Sequence, residues 1–216
     1  MNQISFNFAT RLTIALHFFG FLGMTLAFSR PLFVALTPLN LIICSLFLIR
    51  FQATWQRETF IKFFSIAALI GFAMEVLGVQ TGVIFGEYTY GEPLGLKILG
   101  VPLVIGLNWA VLAVVCGTLI ENKLESQSIW LKSALTALMM TLLDVLIEPV
   151  AIHFDWWTWA NPEVPLQNYL AWFAIAFGIA FLFFRMNFQK RNPFGIYLLL
   201  SQIAFFVAHN IFIALG

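Results

Sequence analysis

The chain has 216 residues, of which 61% are hydrophobic and only 10% are charged, and its mean hydropathy is +0.93. This composition lies outside the range of soluble domains and predicts an integral membrane protein. The formal net charge of +1 gives no reason to expect nucleic acid or acidic macromolecules as partners.

Seven apolar runs are long enough to cross ~30 Å of hydrocarbon as helices. Runs such as IALHFFGFLGMTLAF do not alternate polar and apolar residues, as the strands of a membrane barrel do. The connections between the runs are short, which predicts a single domain over residues 1–216. The expected fold is therefore all-α, an integral membrane bundle of about seven helices at 12–28, 32–49, 60–78, 98–120, 129–150, 168–186 and 194–216.

The basic residues indicate how this bundle is inserted, because Lys and Arg near span ends are retained in the cytoplasm. If the N-terminus lies inside, nine of the eleven Lys and Arg residues fall at inner span ends, and only Arg30 and Lys97 fall outside. The sequence thus predicts an inside N-terminus, an outside C-terminus and a multi-pass protein of the cell (inner or plasma) membrane.

Several predicted spans carry polar residues that a bilayer disfavours. In chain order they are Glu75 in the third run, Asn108 in the fourth, Asp144 and Glu148 in the fifth, and Gln202, His209 and Asn210 in the seventh. All except Gln202 are expected in the outer half of the membrane. The two longest outer loops add further polar and aromatic residues, in GVIFGEYTYGEPLG at 82–95 and in DWWTW at 155–159. We therefore expect a functional site near the outer face.

Simpler interpretations exist for some of these residues. Tyrosines and tryptophans at span ends often form an interfacial belt, so DWWTW is explained as well by the interface as by substrate contact. Glu87 and Glu92 fit solvated loop positions. His17, alone on the first span, fits a hydrogen-bonded packing residue better than a site residue.

Asp144 and Glu148 form the clearest candidate pair. Their i, i+4 spacing places both on one helix face, where two like charges in a low dielectric cannot easily both ionise, so we expect them to share a proton. Pro149 is expected to help end this helix, which would leave the pair near water. Glu75 lies on the same helical stripe as Gly71 and Gly78, small residues that allow close approach of a helix or a flat ligand.

The sequence offers little to hold a cofactor. It contains no glycine-rich nucleotide-binding motif, its three histidines cannot supply a di-iron histidine box, and the seventh run has no lysine for a retinal Schiff base. A metal site built from His153, His209 and an acid is a weaker alternative. We expect no cofactor and no metal, and acid-base chemistry on a substrate that reaches the outer half of the bilayer.

Two stretches resemble the carotenoid biosynthesis proteins, a family that includes bacterial carotenoid 1′,2′-hydratases and archaeal bisanhydrobacterioruberin hydratases. They are MEVLGVQTGVIFGEYTYGEPLGLKILGVPLVIGLNW at 74–109 and DVLIEPVAIHFDWWTW at 144–159. The second stretch departs from the family pattern at Glu148, where Asp more often precedes the proline.

The resemblance implies addition of water to the terminal double bond of a linear, ψ-ended carotenoid within the bilayer, giving a tertiary alcohol. It also implies that other enzymes of carotenoid synthesis are partners. Protonation of such an alkene needs a strong carboxylic acid, and capture of water by the cation needs a base. We assign these roles to Asp144 and Glu148, with Glu75 as the next candidate. The predicted substrate-binding residues are Tyr88, Tyr90, Asn108, Trp109, Trp156, Trp157, His209 and Asn210.

Two other functions use the same features. An end-group cyclase would begin with the same protonation but exclude water. A proton-coupled transporter would also need membrane carboxylates, although carriers place their sites near the midplane and not toward one face.

Overall fold

The computed structural model describes residues 4–216 and shows a bundle of helices. The helices are α1 (Phe6–Thr25), α2 (Arg30–Ala35), α3 (Thr37–Arg50), α4 (Arg57–Thr81), α5 (Leu103–Leu124), α6 (Ile129–His153), α7 (Leu166–Arg185) and α8 (Gly195–Ala214). Within the described residues, six of these are long and apolar enough to cross a membrane, namely all except α2 and α3. The prediction of an all-α membrane bundle is confirmed.

The second apolar run differs from the single span expected at 32–49. It forms α2 and α3, which are separated at Leu36. Pro38 explains the break, because a proline has no backbone N–H to bond the carbonyl one turn earlier. With 14 residues, α3 is about 21 Å long, shorter than a usual span.

Although α3 is short, it joins the two ends of the bundle. It contacts the short 3₁₀ helix Glu92–Leu94, and Pro38 in its first turn lies next to Gly95, the residue that follows that helix. Near its last turn, the Leu48 carbonyl accepts a hydrogen bond of 2.8 Å from Asn192. Phe6, at the start of α1, packs on Phe51, just after α3, with ring centroids 5.3 Å apart. The start of α1 therefore lies at the Asn192 end.

The end of α8 lies at the other end of the bundle. Phe212, near the end of α8, contacts His153, the last residue of α6, with ring centroids 6.4 Å apart. We call this end, which carries the loops that follow α4 and α6, the site end. The start of α1 and the end of α8 thus lie at opposite ends of the bundle, whose orientation in the membrane stays a prediction.

Helix α5 forms the centre of the bundle. Fourteen of its 22 residues are buried, and it packs against α3, α4, α6, α7 and α8. The remaining long helices expose apolar side chains on their outer surfaces, as expected for helices in contact with lipid.

Helix α6 is longer than the sequence predicts. It continues through Pro149 to His153, so the expectation that the proline ends the helix is wrong. Proline removes only one backbone hydrogen bond, and a helix tolerates this loss near its last turn. Asp144 and Glu148 consequently lie about 14 and 8 Å before the last residue of α6, within its regular part.

The two outer loops contain short paired strands. Strand β1 (Tyr88–Tyr90) pairs antiparallel with β4 (Trp157–Trp159), and β2 (Lys97–Ile98) pairs with β3 (Val101–Pro102). The register of the first pair sets Tyr88 opposite Trp159 and Tyr90 opposite Trp157. The β1–β4 strand pair joins the loop after α4 to the loop after α6.

Candidate active site

The β1–β4 strand pair directs four aromatic side chains toward the helices. Side chains alternate between the two faces of a strand, so in Y-T-Y and W-T-W the outer two residues share a face. Tyr88 contacts Trp159 and Tyr90 contacts Trp157, with centroid separations of 5.0 and 5.8 Å. The strand pair thus covers the site with polar N–H and O–H groups mounted on large apolar rings.

Glu75 on α4 accepts hydrogen bonds from three of the surrounding aromatic residues. The hydroxyl groups of Tyr88 and Tyr90 donate to its Oε2 at 2.5 and 2.8 Å. The indole N–H of Trp109, on α5, donates to Oε1 at 3.0 Å. The carboxyl group is buried and surrounded by donors, so its position is set by three neighbours on two different elements.

Glu148 on α6 is held in a similar way by the second strand. The indole N–H groups of Trp157 and Trp159 donate to its Oε2 at 3.0 and 2.9 Å. Its Oε1 lies 3.4 Å from the amide nitrogen of Asn168, on α7. The tyrosines of β1 therefore bind one acid and the tryptophans of β4 bind another.

Asp144 has the fewest donors of the three acids. The Asn168 amide nitrogen donates to its Oδ2 at 2.9 Å, and this is the one hydrogen bond to its carboxyl group within residues 4–216. Because the same nitrogen reaches Glu148, Asn168 links the two acids of α6. Asp144 and Glu148 therefore lie close together, as their spacing predicts.

All three acids line one small cavity, which we call the acid cavity. Its volume is about 30 Å³, room for about one or two water molecules. The lining residues are Glu75, Phe85, Tyr88, Tyr90, Ile105, Asn108, Asp144, Ile147, Glu148, Trp157, Trp159, Asn168 and Trp172. This set contains no Lys, Arg or His, so the described residues give the acids neutral donors and no cation.

A larger apolar cavity adjoins the acid cavity. It has a volume of about 330 Å³ and lies between α1, α3, α5 and α8 at the site end. Three of its lining residues, Phe19, Leu36 and Leu39, are 58%, 40% and 50% exposed, so the cavity reaches the outer surface of the bundle. The two cavities share Ile105, Asn108, Ile147 and Trp157.

The two tyrosines of β1 remain hydrogen-bond donors at physiological pH. Burial raises the pKa of the Tyr88 phenol, and the adjacent Glu75 carboxyl group raises it further. Burial and Glu75 also raise the pKa of Tyr90 well above its ordinary value. Both phenols consequently stay protonated and can donate to Glu75.

Two glycines of α4, on the same stripe as Glu75, let aromatic rings pack closely against the helix. A Cβ on Gly71 would lie 2.3 Å from Cγ of Trp109, and one on Gly78 would lie 2.4 Å from the Phe85 ring. The flat groups that pack against these two glycines are thus aromatic side chains of the protein itself. The indole of Trp109 is stacked on Trp172 at 3.9 Å, which fixes the donor to Glu75 from its other side.

The structure brings most of the predicted site residues together, but not all of them. Asn108, Tyr88, Tyr90 and Trp157 line the acid cavity with the three acids, and Trp109 bonds one of them. Trp156 lines the apolar cavity instead.

His209 and Asn210 make no hydrogen bond with the three acids in the described part of the chain. Both side chains bond backbone carbonyl groups, His209 that of Phe205 and Asn210 those of Phe206 and Leu146, and neither residue lines the two cavities. The predicted substrate-binding role of these two residues has no support in this arrangement.

The structure also places the residues that the sequence analysis considers but does not assign to the site. His17 is buried and bonds the Thr13 carbonyl at 2.8 Å, as expected of a packing residue, although it also lines the apolar cavity. Glu92 is an exposed loop residue paired with Lys97. Within residues 4–216, no group of three His, Cys, Asp or Glu side chains is arranged to hold a metal, so His153, His209 and an acid do not form such a set.

Sequence reasoning missed two polar residues of the site. Asn168 begins the sixth predicted run, where a neutral amide is unremarkable, and Trp159, in DWWTW, is explained as well by an interfacial belt as by substrate contact. The period-two patterns of Y-T-Y and W-T-W are the signal that could have identified Trp159. For Asn168, the i+4 spacing to Trp172, which places both on one face of α7, is the only local indication.

These features define an integral membrane protein with three carboxyl groups around one cavity and an apolar cavity beside it. The chain matches the family described as "Carotenoid biosynthesis protein" over residues 13–215 and belongs to that family. It is also 31% identical over 137 residues to a protein of Haloarcula japonica named bisanhydrobacterioruberin hydratase. That match covers 57% of this chain and 44% of the relative, so the chain spans less than half of the relative's length. No solved structure matches it.

Proposed function

We propose that the protein is a membrane hydratase that adds water to the terminal double bond of a linear, ψ-ended carotenoid. The observation that carries the proposal is the contact between a cavity lined by three acids and an apolar cavity that reaches the bundle surface. Membership of the carotenoid biosynthesis family and similarity to a protein named as a hydratase support the substrate class and the reaction type.

The apolar cavity suits the hydrocarbon part of such a substrate. A polyene gains no hydrogen bonds from the protein, so its binding depends on shape and on van der Waals contact with apolar side chains. A volume of about 330 Å³ holds the end of a long chain, while the rest extends into the bilayer past Phe19, Leu36 and Leu39. The terminal double bond would then lie at the four residues that the two cavities share.

The acids supply the chemistry at that junction. Asp144, the acid with the fewest donors, transfers its proton to the less substituted carbon of the double bond, and the alkene π electrons form the new C–H bond. The tertiary carbocation left behind is attacked by water, which forms the C–O bond, and Glu148 accepts the proton that the water loses. The net change is the addition of one water to one double bond. Transfer of the proton from Glu148 back to Asp144 completes the cycle, and the shared contact to Asn168 keeps the two acids close.

Glu75 and the aromatic residues stabilise the cation. A carboxyl group bound by three neutral donors, without a neighbouring cation among the described residues, can place negative charge near the carbocation. The faces of Tyr88, Tyr90 and Trp157 add cation–π attraction of about 0.5–2 kcal/mol each in a dry site.

Orientation and location form part of the same proposal. The distribution of basic residues favours an orientation with the site end outside. We place the protein in the cell membrane, with other enzymes of carotenoid synthesis as its partners. Reporter fusions within 79–97 and 52–59 test this orientation. The first should report outside and the second inside, and the reverse pattern would place the site on the cytoplasmic face.

The decisive experiment is expression of the chain in a host that accumulates lycopene, followed by mass spectrometry of the pigments. Hydration adds the mass of water at each reacting end, whereas cyclisation leaves the mass unchanged. Purified protein in detergent with a chelator should retain hydration activity, since the proposed steps use only carboxyl groups. Pigments of unchanged mass and altered absorption would favour the cyclase, and unchanged pigments would refute an end-group reaction on lycopene.

A further inference from the structure

Asn108, on α5, occupies a special position between the two cavities. It is one of four residues that line both of them. Two of the others, Ile105 and Ile147, are apolar. The fourth, Trp157, already uses its indole N–H in the bond to Glu148. Asn108 is thus the one shared residue with hydrogen-bonding groups that are still available.

The side-chain amide of Asn108 makes no hydrogen bond with any residue of the described chain 4–216, although the residue is half-buried. An amide in such a position is usually satisfied by a partner, and water is the ordinary partner when the protein offers none. The acid cavity has the volume of about one or two water molecules, so a water bonded to Asn108 would also be close to the carboxyl groups.

We infer that Asn108 binds the water that attacks the carbocation, an inference that rests on the proposed hydratase function. The amide oxygen accepts one hydrogen of this water and Glu148 accepts the other, which leaves an oxygen lone pair directed at the junction of the cavities. The C–O bond forms from this lone pair, and the proton passes to Glu148. Asn108 therefore acts after the protonation of the alkene and governs whether the cation is hydrated.

Removal of the Asn108 amide should change the fate of the carbocation. A carbocation that meets no oriented water loses a proton to the carboxylate and returns to an alkene. In D₂O the acid delivers deuterium, and every return that loses a protium, from the same carbon or from a terminal methyl group, leaves deuterium on carbon in unhydrated carotenoid. The ratio of hydrated product to deuterated alkene therefore reports water capture separately from protonation.

The experiment compares this ratio in wild type, Asn108→Leu and Asn108→Ser, all in D₂O with a ψ-ended carotenoid. Leucine keeps the approximate size of asparagine without hydrogen bonds, and we expect the ratio to fall about tenfold or more while deuterium incorporation continues. Serine retains a hydroxyl group and should restore part of the ratio. Leu107→Val is the matched control, since Leu107 is the neighbour of Asn108 on α5 and lines neither cavity, and it should leave the ratio unchanged.

The possible failures are distinguishable. If wild type gives neither hydrated nor deuterated carotenoid, the proposed function itself is wrong. If wild type hydrates but Asn108→Leu lowers hydration and deuterium incorporation in equal proportion, Asn108 does not act in water capture. An unchanged ratio in Asn108→Leu, or in Asn108→Ser should the leucine variant not accumulate, would overturn the inference as well.

Discussion

The acid cavity and the apolar cavity share four residues, yet their volumes are about 30 and about 330 Å³ and their linings differ in kind. In the acid cavity all three acids accept hydrogen bonds, and rigid aromatic rings supply most of the donors. The apolar cavity is lined mainly by aliphatic and phenylalanine side chains that leave its centre unfilled. We infer from this contrast that the reaction takes place in the acid cavity and that the apolar cavity binds the hydrocarbon chain.

The largest effect should come from the acids themselves. Asp144→Asn and Glu148→Gln preserve shape and remove the titrating proton, so the protein should still accumulate. General acid-base assistance contributes about 10²–10⁴-fold, and each change should lower kcat by about that factor with little change in KM. Hydration rates of the purified variants measure this. The double variant should lose less than the product of the single losses, because the two acids work as one unit.

One result would reassign the roles of the acids. If Asp144→Asn and Glu148→Gln both hydrate at near-normal rates while Glu75→Gln abolishes turnover, the proton donor is Glu75 on α4. The strand β1, and not β4, would then hold the catalytic acid, through Tyr88 and Tyr90.

A smaller loss is expected from one donor to Glu75. Tyr90→Phe removes only the hydroxyl group, whose hydrogen bond to Glu75 is 2.8 Å long. A hydrogen bond to a charged group contributes about 1.5–3 kcal/mol, so kcat should fall by roughly 10- to 100-fold. Tyr197→Phe is the control, because Tyr197 is 41% exposed on α8 and lines neither cavity. Equal rates for the two variants would show that the Glu75 position does not depend on the strand pair.

Filling the apolar cavity should affect binding more than reaction. Ala15 on α1 lines this cavity, and Ala15→Phe would occupy part of it. We expect KM for the carotenoid to rise several-fold while kcat changes little. Ile14→Phe is the matched control, since the neighbouring Ile14 is 49% exposed on the outer surface and lines neither cavity. A loss of kcat as large as that of the acid variants would contradict the proposed division between the cavities.

The sequence reveals the acid cavity much better than the apolar one. A carboxyl group in an apolar run is conspicuous, because its burial is costly without a function, so Glu75, Asp144 and Glu148 could be identified from sequence alone. The helices follow from long apolar runs in the same way. The apolar cavity has no such signal, since residues such as Leu12 and Ile43 have the same composition whether they fill a core or line a void.

The contacts within the site could not be predicted from the sequence either. The Tyr and Trp residues of the two loops could be expected near one another, but their pairing as β1 and β4 joins positions about seventy residues apart. Nothing local indicates that register, or that tyrosines go to Glu75 and tryptophans to Glu148. Asn168 was missed because a neutral amide at the start of a span is common, and its role depends on two acids on another helix.

The smallest effect is expected at Glu92. This residue lies in the loop between α4 and α5, as strand β1 does, but it lines neither cavity. Its side chain is 94% exposed and pairs with Lys97 at 2.8 Å, and exposed ion pairs of this kind contribute little. Lys97 also donates to the Tyr90 carbonyl at 2.8 Å, a contact that remains in Glu92→Gln, so strand β1 should keep its position. Turnover should therefore stay within a few-fold of wild type in the assay used for the acids. A tenfold loss would mean that Lys97 needs Glu92 to hold Tyr90 against Glu75, and Lys97→Ala should then reproduce the loss. If Glu92→Gln lowers turnover tenfold but Lys97→Ala does not, the reaction depends on a residue outside the acid cavity, which would contradict the proposed site.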